Sequence, residues 1–256
     1  MRYFLHLAYN GTPFHGWQIQ PNAPTVQETL EKALAIFCNE KINIVGCGRT
    51  DTGVHAKKFY AHFDTAQQFD EKQLAHILHK INAFAGENIV LYRIFPVADD
   101  LHARFSATRR TYHYFVHLRK NPFRRSYSWQ LYGDIDFHRM NEAAKVLLEY
   151  RDFTSFSKVN TDTKTNECTI VEAHWDELEP GVWRFTITAN RFLRNMVRAI
   201  VGTLIEVGRG KLSIEDFRDV IEQKNRCSAG ESVPGHGLFL VDISYDLKDS
   251  KDFKEQ

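Results

Sequence analysis

The chain has 256 residues, 43% of them hydrophobic and 25% charged, a composition typical of a soluble globular protein of one large domain or two modest ones. No apolar run is long enough to span a bilayer, and the four scattered cysteines indicate neither a zinc site nor a disulfide framework, which favours the reducing cytoplasm. The net charge of +1 does not by itself point to a nucleic-acid partner.

In the first half of the chain, hydrophobic alternation and periodicity predict four strands and two helices. Thr25 and Glu28 have the spacing of a capping box, which predicts that the first helix begins at Val26. In chain order, we expect a strand over 3–9, a helix over 26–39, strands over 42–45 and 59–63, a helix over 70–84 and a strand over 89–97.

The second half repeats this alternation of strands and helices. We expect a strand over 112–118, a helix over 136–150, a hairpin of strands over 169–178 and 182–189, helices over 191–207 and 213–225, and a last strand over 238–245. The repeated order predicts an α+β fold of two domains, 1–104 and 105–247. The Lys- and Asp-rich tail, 248–256, is expected to be disordered.

One carboxylate stands out because its surroundings are basic. Asp51 lies in Gly48-Arg49-Thr50-Asp51-Thr52-Gly53-Val54-His55-Ala56, and there is no other Asp or Glu from Lys41 to Phe63. Nearby cations favour the charged form of a carboxyl group, and glycines allow a ligand to approach the backbone closely. The pattern therefore predicts a reactive carboxylate presented from a turn.

Asp-Thr-Gly is also the signature of aspartic proteases, in which two carboxylates share a proton. That interpretation requires a second copy of the motif or a partner across a dimer axis. The chain has no second copy, and the neighbouring Arg49 would oppose a shared proton. The protease stays a minor alternative.

The distribution of charge, unlike its sum, favours a polyanionic partner. Residues 101–126 and 180–205 contain no Asp or Glu, yet they carry many arginines interleaved with aromatic residues. Such blocks suit a phosphate backbone with stacked bases, although chance clustering on solvated strands is the alternative for either block alone. An RNA-binding module without chemistry would show the same two blocks.

Three further positions could contribute to a site in the second half. Strand alternation puts Arg110 and Tyr112 on one face, where they could hold a nucleotide or could simply be part of a core. Arg194 and Arg198 are four residues apart in the predicted apolar helix, so we expect them to share a face. Arg198 could form an ion pair with Asp51, or both arginines could extend to solvent. Metal-ligand spacings and nucleotide-binding loops are missing from the sequence.

Taken together, these segments resemble the tRNA pseudouridine synthase A family. The resemblance rests on the Asp51 motif, on His102-Ala103-Arg104-Phe105-Ser106-Ala107 leading to Arg110-x-Tyr112-x-Tyr114, and on matches at 9–18, 152–156, 190–206 and 237–241. These matches run in order along nearly the whole chain. Thr52 departs from the pattern, because many relatives have Ala there.

The resemblance implies that the chain isomerises uridine to pseudouridine at positions 38, 39 and 40 of the tRNA anticodon stem-loop. It implies two ferredoxin-like, or RRM-like, halves that form a continuous, mainly antiparallel mixed sheet with a central catalytic cleft. It also implies a cytoplasmic homodimer that needs no metal, nucleotide or other cofactor and no membrane.

By the same resemblance, Asp51 would be the essential carboxylate, either as a nucleophile at C1′ or as a base that removes a ribose proton. Tyr112 would stack on the base and could accept the C5 proton, while Arg198 would pair with Asp51. Arg49 would hold the target nucleotide out of the stack, and Arg110 and Arg194 would bind the RNA backbone.

Overall fold

The computed structural model describes residues 1–158 and 165–246, and these contain nine strands in a mixed sheet and five α-helices. The expected α+β class is confirmed. None of the helices in this described part is long and apolar enough to cross a membrane. The tail at 248–256, for which we predicted disorder, lies outside the described residues.

The described residues divide into two compact units, one of 1–108 with 240–246 and the other of 109–239 without 159–164. This division differs from the sequence-based one, which ended the first domain at residue 104 and kept the last strand in the second. Long-range contacts explain the difference, because Tyr245 Oη donates a hydrogen bond to the Ala103 carbonyl (2.6 Å) and Asp242 pairs with Lys58 (2.8 Å). Such contacts leave no local pattern in the sequence.

The first unit packs two helices on strands in the order β4-β1-β3-β2, all antiparallel to their neighbours. Its elements are β1 (Arg2–Tyr9), α1 (Val26–Phe37), β2 (Ile44–Gly46), β3 (His55–Asp64), α2 (Glu71–Ala85) and β4 (Ile89–Val97). Leu5, Leu30 and Phe59 are completely buried in its core. These elements match the predicted ones, with β3 longer than expected.

Side-chain caps fix where the helices of the first unit begin. Thr25 accepts a hydrogen bond from the Glu28 amide at the start of α1 (3.3 Å), while the Glu28 carboxylate pairs with Lys32 (2.6 Å). Asp70 and Gln73 form a complete capping box at the start of α2. Each cap satisfies a backbone amide that has no partner inside the helix.

The second unit is built on the antiparallel order β5-β8-β7, with a short strand, β6, parallel to β5. Helix α3 packs on β7 and on α4. The elements of this half are β5 (Ala107–His117), β6 (Trp129–Gln130), α3 (Phe137–Val146), β7 (Ile170–Glu179), β8 (Val182–Ala189), α4 (Met196–Gly208) and α5 (Ile214–Glu222). The last strand, β9 (Leu238–Tyr245), follows them in the chain, and from Leu240 its residues belong to the first unit. Strand β6 was not predicted, because two residues carry no detectable periodicity.

Helix α4 begins five residues later than the sequence predicted. Asn195 adopts a left-handed conformation with a φ of 67°, so the helix starts only at Met196. Asn tolerates this conformation better than most residues, and its placement here ends the irregular segment over 190–195. The prediction that Arg194 and Arg198 share a helical face is therefore wrong, since the exposed Arg194 precedes the helix.

Candidate active site

Asp51 lies in the turn that connects β2 to β3, and it is half-buried. The Val54 amide donates to the Asp51 carbonyl (3.1 Å), which closes the turn. Gly53 has a φ of 74°, a left-handed conformation that glycine adopts without a steric penalty. The local sequence thus produces a tight turn with the carboxylate at its centre.

A second segment, 11–17, runs along this turn and holds it by backbone hydrogen bonds. The Trp17 amide donates to the Thr50 carbonyl (3.2 Å), and the Gly53 amide donates to the Phe14 carbonyl (3.3 Å). The two bonds lie on either side of Asp51 in sequence. The position of the Asp51 backbone is therefore fixed by residues that lie more than thirty positions away from it.

Glycines make this close approach possible. A Cβ atom on Gly16, whose φ is +90°, would lie 2.3 Å from the Thr50 carbonyl oxygen. A Cβ on Gly11 would lie 2.0 Å from the Val54 carbonyl oxygen, which is far inside contact distance. Both glycines are part of the 9–18 segment that contributed to the family resemblance, and the structure gives them a physical role.

Two buried polar contacts fix the residues that flank Asp51. The hydroxyl groups of Tyr9 and Thr50 are 2.9 Å apart, and Thr50 is buried. The Gly11 amide donates to Nδ1 of the buried His55 (3.1 Å), so this nitrogen carries no proton. Strand β1 and the start of β3 therefore anchor both ends of the turn.

Two of the basic residues near Asp51 in the sequence differ in their contacts. Lys58 pairs with Asp242 of β9, a carboxylate that is far from Asp51 in the sequence. Arg49 is exposed and has no hydrogen bond or ion pair within residues 1–158 and 165–246. Arg49 is therefore available to an anionic ligand.

In the second unit, Tyr112 and Arg110 lie on β5 beside the segment that follows β8. The Tyr112 ring is half-buried and meets the Phe192 ring edge to face, with centroids 5.1 Å apart. Arg110 donates to the Asn190 carbonyl (2.7 Å). Sequence reasoning proposed Tyr112 but missed the role of Phe192 as its support.

Arg198 is held by a segment from outside its helix. Its Nε donates to the Val233 carbonyl (2.6 Å), and the Val233 amide donates to the Arg198 carbonyl (3.3 Å). The next carbonyl, that of Pro234, accepts from the hydroxyl of Tyr114 (2.9 Å). Burial raises the pKa of Tyr114 above its usual range, so its hydroxyl stays protonated and can donate.

Two glycines that the sequence did not single out allow this segment to approach α4. A Cβ on Gly202 would lie 1.9 Å from the Glu231 carbonyl oxygen, and one on Gly230 would lie 2.9 Å from the Thr203 amide nitrogen. The Gly230 amide donates to the Thr203 hydroxyl (2.9 Å). The only sequence signal was a glycine in the interior of a predicted helix, which often marks a close backbone contact.

Comparisons with known proteins agree with the motif-based resemblance. A family model described as tRNA pseudouridine synthase matches residues 143–246. The chain is 56% identical to tRNA pseudouridine synthase A of Parabacteroides distasonis over 95% of this chain and 96% of that protein. The chain belongs to the tRNA pseudouridine synthase A family. The similarity extends to Bacillus subtilis, whose tRNA pseudouridine synthase A is 40% identical over 96% of this chain and its own full length.

The family's motifs fall on both units. Asp51 and Arg49 are in the first unit, whereas Arg110, Tyr112, Arg194 and Arg198 are in the second. The structure brings Arg198 to the 233–234 segment and Tyr112 to Phe192, and it leaves Arg194 outside α4. The pairing of Arg198 with Asp51 remains a prediction and is part of the proposal below.

Over residues 1–158 and 165–246, no group of three or more His, Cys, Asp or Glu side chains could hold a metal ion.

Proposed function

We propose that this chain converts uridine to pseudouridine in tRNA, with Asp51 as the essential carboxylate. The observation that carries the proposal is the Asp51 turn, which is fixed on both sides by the 11–17 segment. Relatives that are 40 to 56% identical over nearly the whole chain are named tRNA pseudouridine synthase A.

The reaction breaks the N1–C1′ bond of uridine and forms a C5–C1′ bond to the same uracil. Positive charge develops on the ribose as the first bond breaks, and a carboxylate beside C1′ stabilises it. Asp51 either attacks C1′ or removes a ribose proton, and both routes need its ionised form. The C5 proton is then released, while N1 takes up a proton, so the overall change is an isomerisation.

One carboxylate is sufficient for this chemistry. A glycoside hydrolase needs a second carboxyl group because it activates water or protonates a leaving group that departs. Here the freed uracil must stay in the site, rotate and rejoin the same sugar, and water must be kept out. The isolation of Asp51 in a basic segment, which would be odd for a hydrolase, suits an isomerase.

Within the proposal, Arg198 pairs with Asp51 and keeps its carboxylate ionised and oriented. The hydrogen bond from Arg198 Nε to the Val233 carbonyl supports this role, because it fixes the orientation of the guanidinium. In the proposal, Tyr112 stacks on the target base and accepts the C5 proton, and the edge-to-face contact of its ring with Phe192 supports the stacking role. Arg49 holds the nucleotide out of its stack by binding a flanking phosphate.

The proposal includes two ferredoxin-like halves that share a continuous sheet around a central cleft. In its support, the first unit has the order β-α-β-β-α-β with strands arranged 4-1-3-2. The second half again has a strand, a helix, two strands, further helices and a strand, apart from the two-residue β6. Strand β9 contributes residues to both units.

The finer substrate assignment is also a proposal: positions 38, 39 and 40 of the anticodon stem-loop, modified by a cytoplasmic homodimer that needs no cofactor. The alternative is an RNA-binding protein without activity, which the arginine blocks alone would equally favour. The two differ in whether product forms.

The test is to incubate the chain with unmodified tRNA transcripts, digest the tRNA to nucleosides and compare them with authentic pseudouridine. We expect pseudouridine at up to three positions, and chemical mapping with primer extension should place them at 38–40. Pseudouridine elsewhere would contradict the substrate assignment. Tight tRNA binding with no pseudouridine, even at high protein concentration, would establish the non-catalytic alternative.

A further inference from the structure

Phe123 is exposed to an unusual degree for a large apolar side chain. Its relative exposure is 91%, above that of Phe105 at 76% and Tyr132 at 73% in the described part of the chain. It lies in the connection between β5 and β6, residues 118–127, which we name the Phe123 loop. An apolar ring that is held in solvent often marks a binding surface.

The Phe123 loop is held in one conformation by internal hydrogen bonds. The Asn121 side-chain oxygen accepts from the Phe123 amide (2.9 Å), and the Tyr127 amide donates to the Arg124 carbonyl (2.9 Å). The Leu118 amide donates to the Gly181 carbonyl of the β7–β8 turn (2.9 Å), and Arg124 pairs with Glu179. The loop thus presents the ring without a large entropic penalty on binding.

The charged residues of the Phe123 loop itself are all basic. Arg119, Lys120 and Arg125 are exposed and have neither a hydrogen bond nor an ion pair within residues 1–158 and 165–246. Only Arg124 is neutralised, by Glu179. From residue 101 to residue 133 the sequence contains no Asp or Glu, so no acid within the segment itself offsets these three cations.

We propose that the Phe123 loop is an RNA-contacting element of its own, in which Phe123 stacks on an unpaired base of the tRNA and the three cations bind flanking phosphates. Stacking of a base on an aromatic ring together with basic side chains along the backbone is how single-stranded RNA is held. This inference rests on the proposed function, because it assumes that tRNA is the substrate.

Charge complementarity favours RNA over a second copy of this chain as the occupant. Two identical loops that met at a two-fold axis would bring like charges together, and the segment has no carboxylate with which to pair them. A polyanion satisfies all three cations at once. The ring and the cations then act on substrate affinity and not on the chemical step.

The test measures binding of unmodified tRNA by Phe123→Ala and Phe123→Trp, both in an Asp51→Asn background that prevents turnover. We expect the alanine variant to raise the tRNA Kd about tenfold, and the tryptophan variant to bind within about twofold of the parent. Tyr132→Ala is the matched control, since Tyr132 is another exposed aromatic residue but lies two residues from the acidic Asp134 in the sequence. The tRNA Kd of this variant should equal that of the parent.

Two further arms separate stacking from charge. Phe123→Ala should weaken binding to a single-stranded oligonucleotide but leave binding to a blunt RNA duplex unchanged. Arg125→Gln should weaken both and lower the slope of log K against log salt by about one. In turnover assays without the Asp51 substitution, Phe123→Ala should raise KM and leave kcat unchanged.

Unchanged tRNA affinity in Phe123→Ala would overturn the inference, as would a change confined to the oligomeric mass measured by light scattering. The latter result would show that the loop contacts a second copy. Pseudouridine formation by the wild-type chain is scored separately. If no product forms but Phe123→Ala still weakens tRNA binding, the proposed activity fails and the RNA contact stands.

Discussion

At the scale of single residues, the position of the Asp51 backbone depends on hydrogen bonds from residues outside its own turn. Trp17 and Phe14 hold the backbone on either side of it, and Tyr9 bonds to the neighbouring Thr50. A carboxylate that must meet C1′ of a rotated nucleotide needs this kind of fixed placement, because small displacements of a reacting group greatly reduce the rate.

Gly16→Ala tests this dependence. The new Cβ would clash with the Thr50 carbonyl at 2.3 Å, and a φ of +90° is strained for alanine, so we expect a loss of about 2 kcal/mol in the free energy of unfolding. Displacement of the turn should also lower kcat by about a hundredfold. Urea denaturation and pseudouridine formation measure the two effects.

Gly48→Ala is the matched control, since a Cβ there meets nothing within 4 Å and the residue lies in the same turn. It should change stability by less than about 0.5 kcal/mol. Equal effects of the two substitutions would show that the close approach of segment 11–17 does not position Asp51.

A second residue-scale effect concerns His62, which is buried on β3 and accepts a hydrogen bond from the Ala103 amide at Nδ1 (3.1 Å). Burial, followed by the positive charge of Arg2, lowers the pKa of His62 to about 4. His102, whose ring centroid is 4.7 Å away, adds to the shift, while Asp64 opposes it.

This shift predicts a loss of stability in acid. Between pH 6.5 and about 4 the unfolded state binds a proton at His62 that the folded state does not. The contribution of His62 to the free energy of unfolding is therefore present above pH 6.5 and is lost as the pH falls towards 4. From pH 7 to pH 5, protonation of His62 in the unfolded state should lower the free energy of unfolding by about 2 kcal/mol. Urea denaturation at several pH values measures it.

His62→Gln supplies the comparison, because glutamine does not titrate. The pH 7 to pH 5 difference in the free energy of unfolding should be smaller in the variant by about 2 kcal/mol. An identical pH dependence in both proteins would show that His62 keeps an ordinary pKa in the folded state.

At the scale of elements, the second half of the candidate site is built by the irregular segment over 230–237. It lies between α4 and β5, where Arg198 binds one of its carbonyls and Tyr114 binds the next. A Cβ on Gly237 would come within 2.8 Å of the Tyr114 ring, so this end of the segment is also closely packed. The segment therefore connects β5, through Tyr114, with α4, through the guanidinium of Arg198.

Tyr114→Phe tests this link. The variant leaves the partly buried Pro234 carbonyl without its donor, which should cost about 1 to 2 kcal/mol in the free energy of unfolding. Because the same segment holds Arg198, we also expect kcat to fall several-fold. Tyr92→Phe is the control: Tyr92 is half-exposed, and its hydroxyl has no hydrogen bond within the described residues. If both variants match the wild type, Tyr114 does not support the segment.

The sequence predicted elements well where a periodic pattern continued over several residues. Strands β1, β4 and β8 match to within a residue, and the helix predicted over 70–84 is α2, Glu71–Ala85. The start of α4 was wrong because the left-handed Asn195 interrupts a hydrophobic pattern that otherwise continues. Gly202 and the 233–234 carbonyls were missed because their role depends on contacts between distant segments.

At the scale of the whole molecule, each unit contributes a different part of the proposed chemistry. The first supplies the carboxylate on a fixed turn, and the second supplies an arginine and a tyrosine with their own supports. Because the proposed site residues are divided between the two units, the motifs that carry the family resemblance are spread along nearly the whole chain. By contrast, the contact between Lys58 and Asp242, which joins the last strand to the first unit, could not be predicted, because the two residues are 184 positions apart.

The most direct test of the central claim is the release of tritium from tRNA labelled at C5 of uridine. The wild-type chain should release it, and Asp51→Asn should reduce the rate by at least about a thousandfold while it still binds tRNA. Asp134→Asn, which removes an exposed carboxylate, should release tritium at the wild-type rate. Tritium release by Asp51→Asn at a rate comparable to the wild type would contradict the assignment of Asp51 as the essential carboxylate.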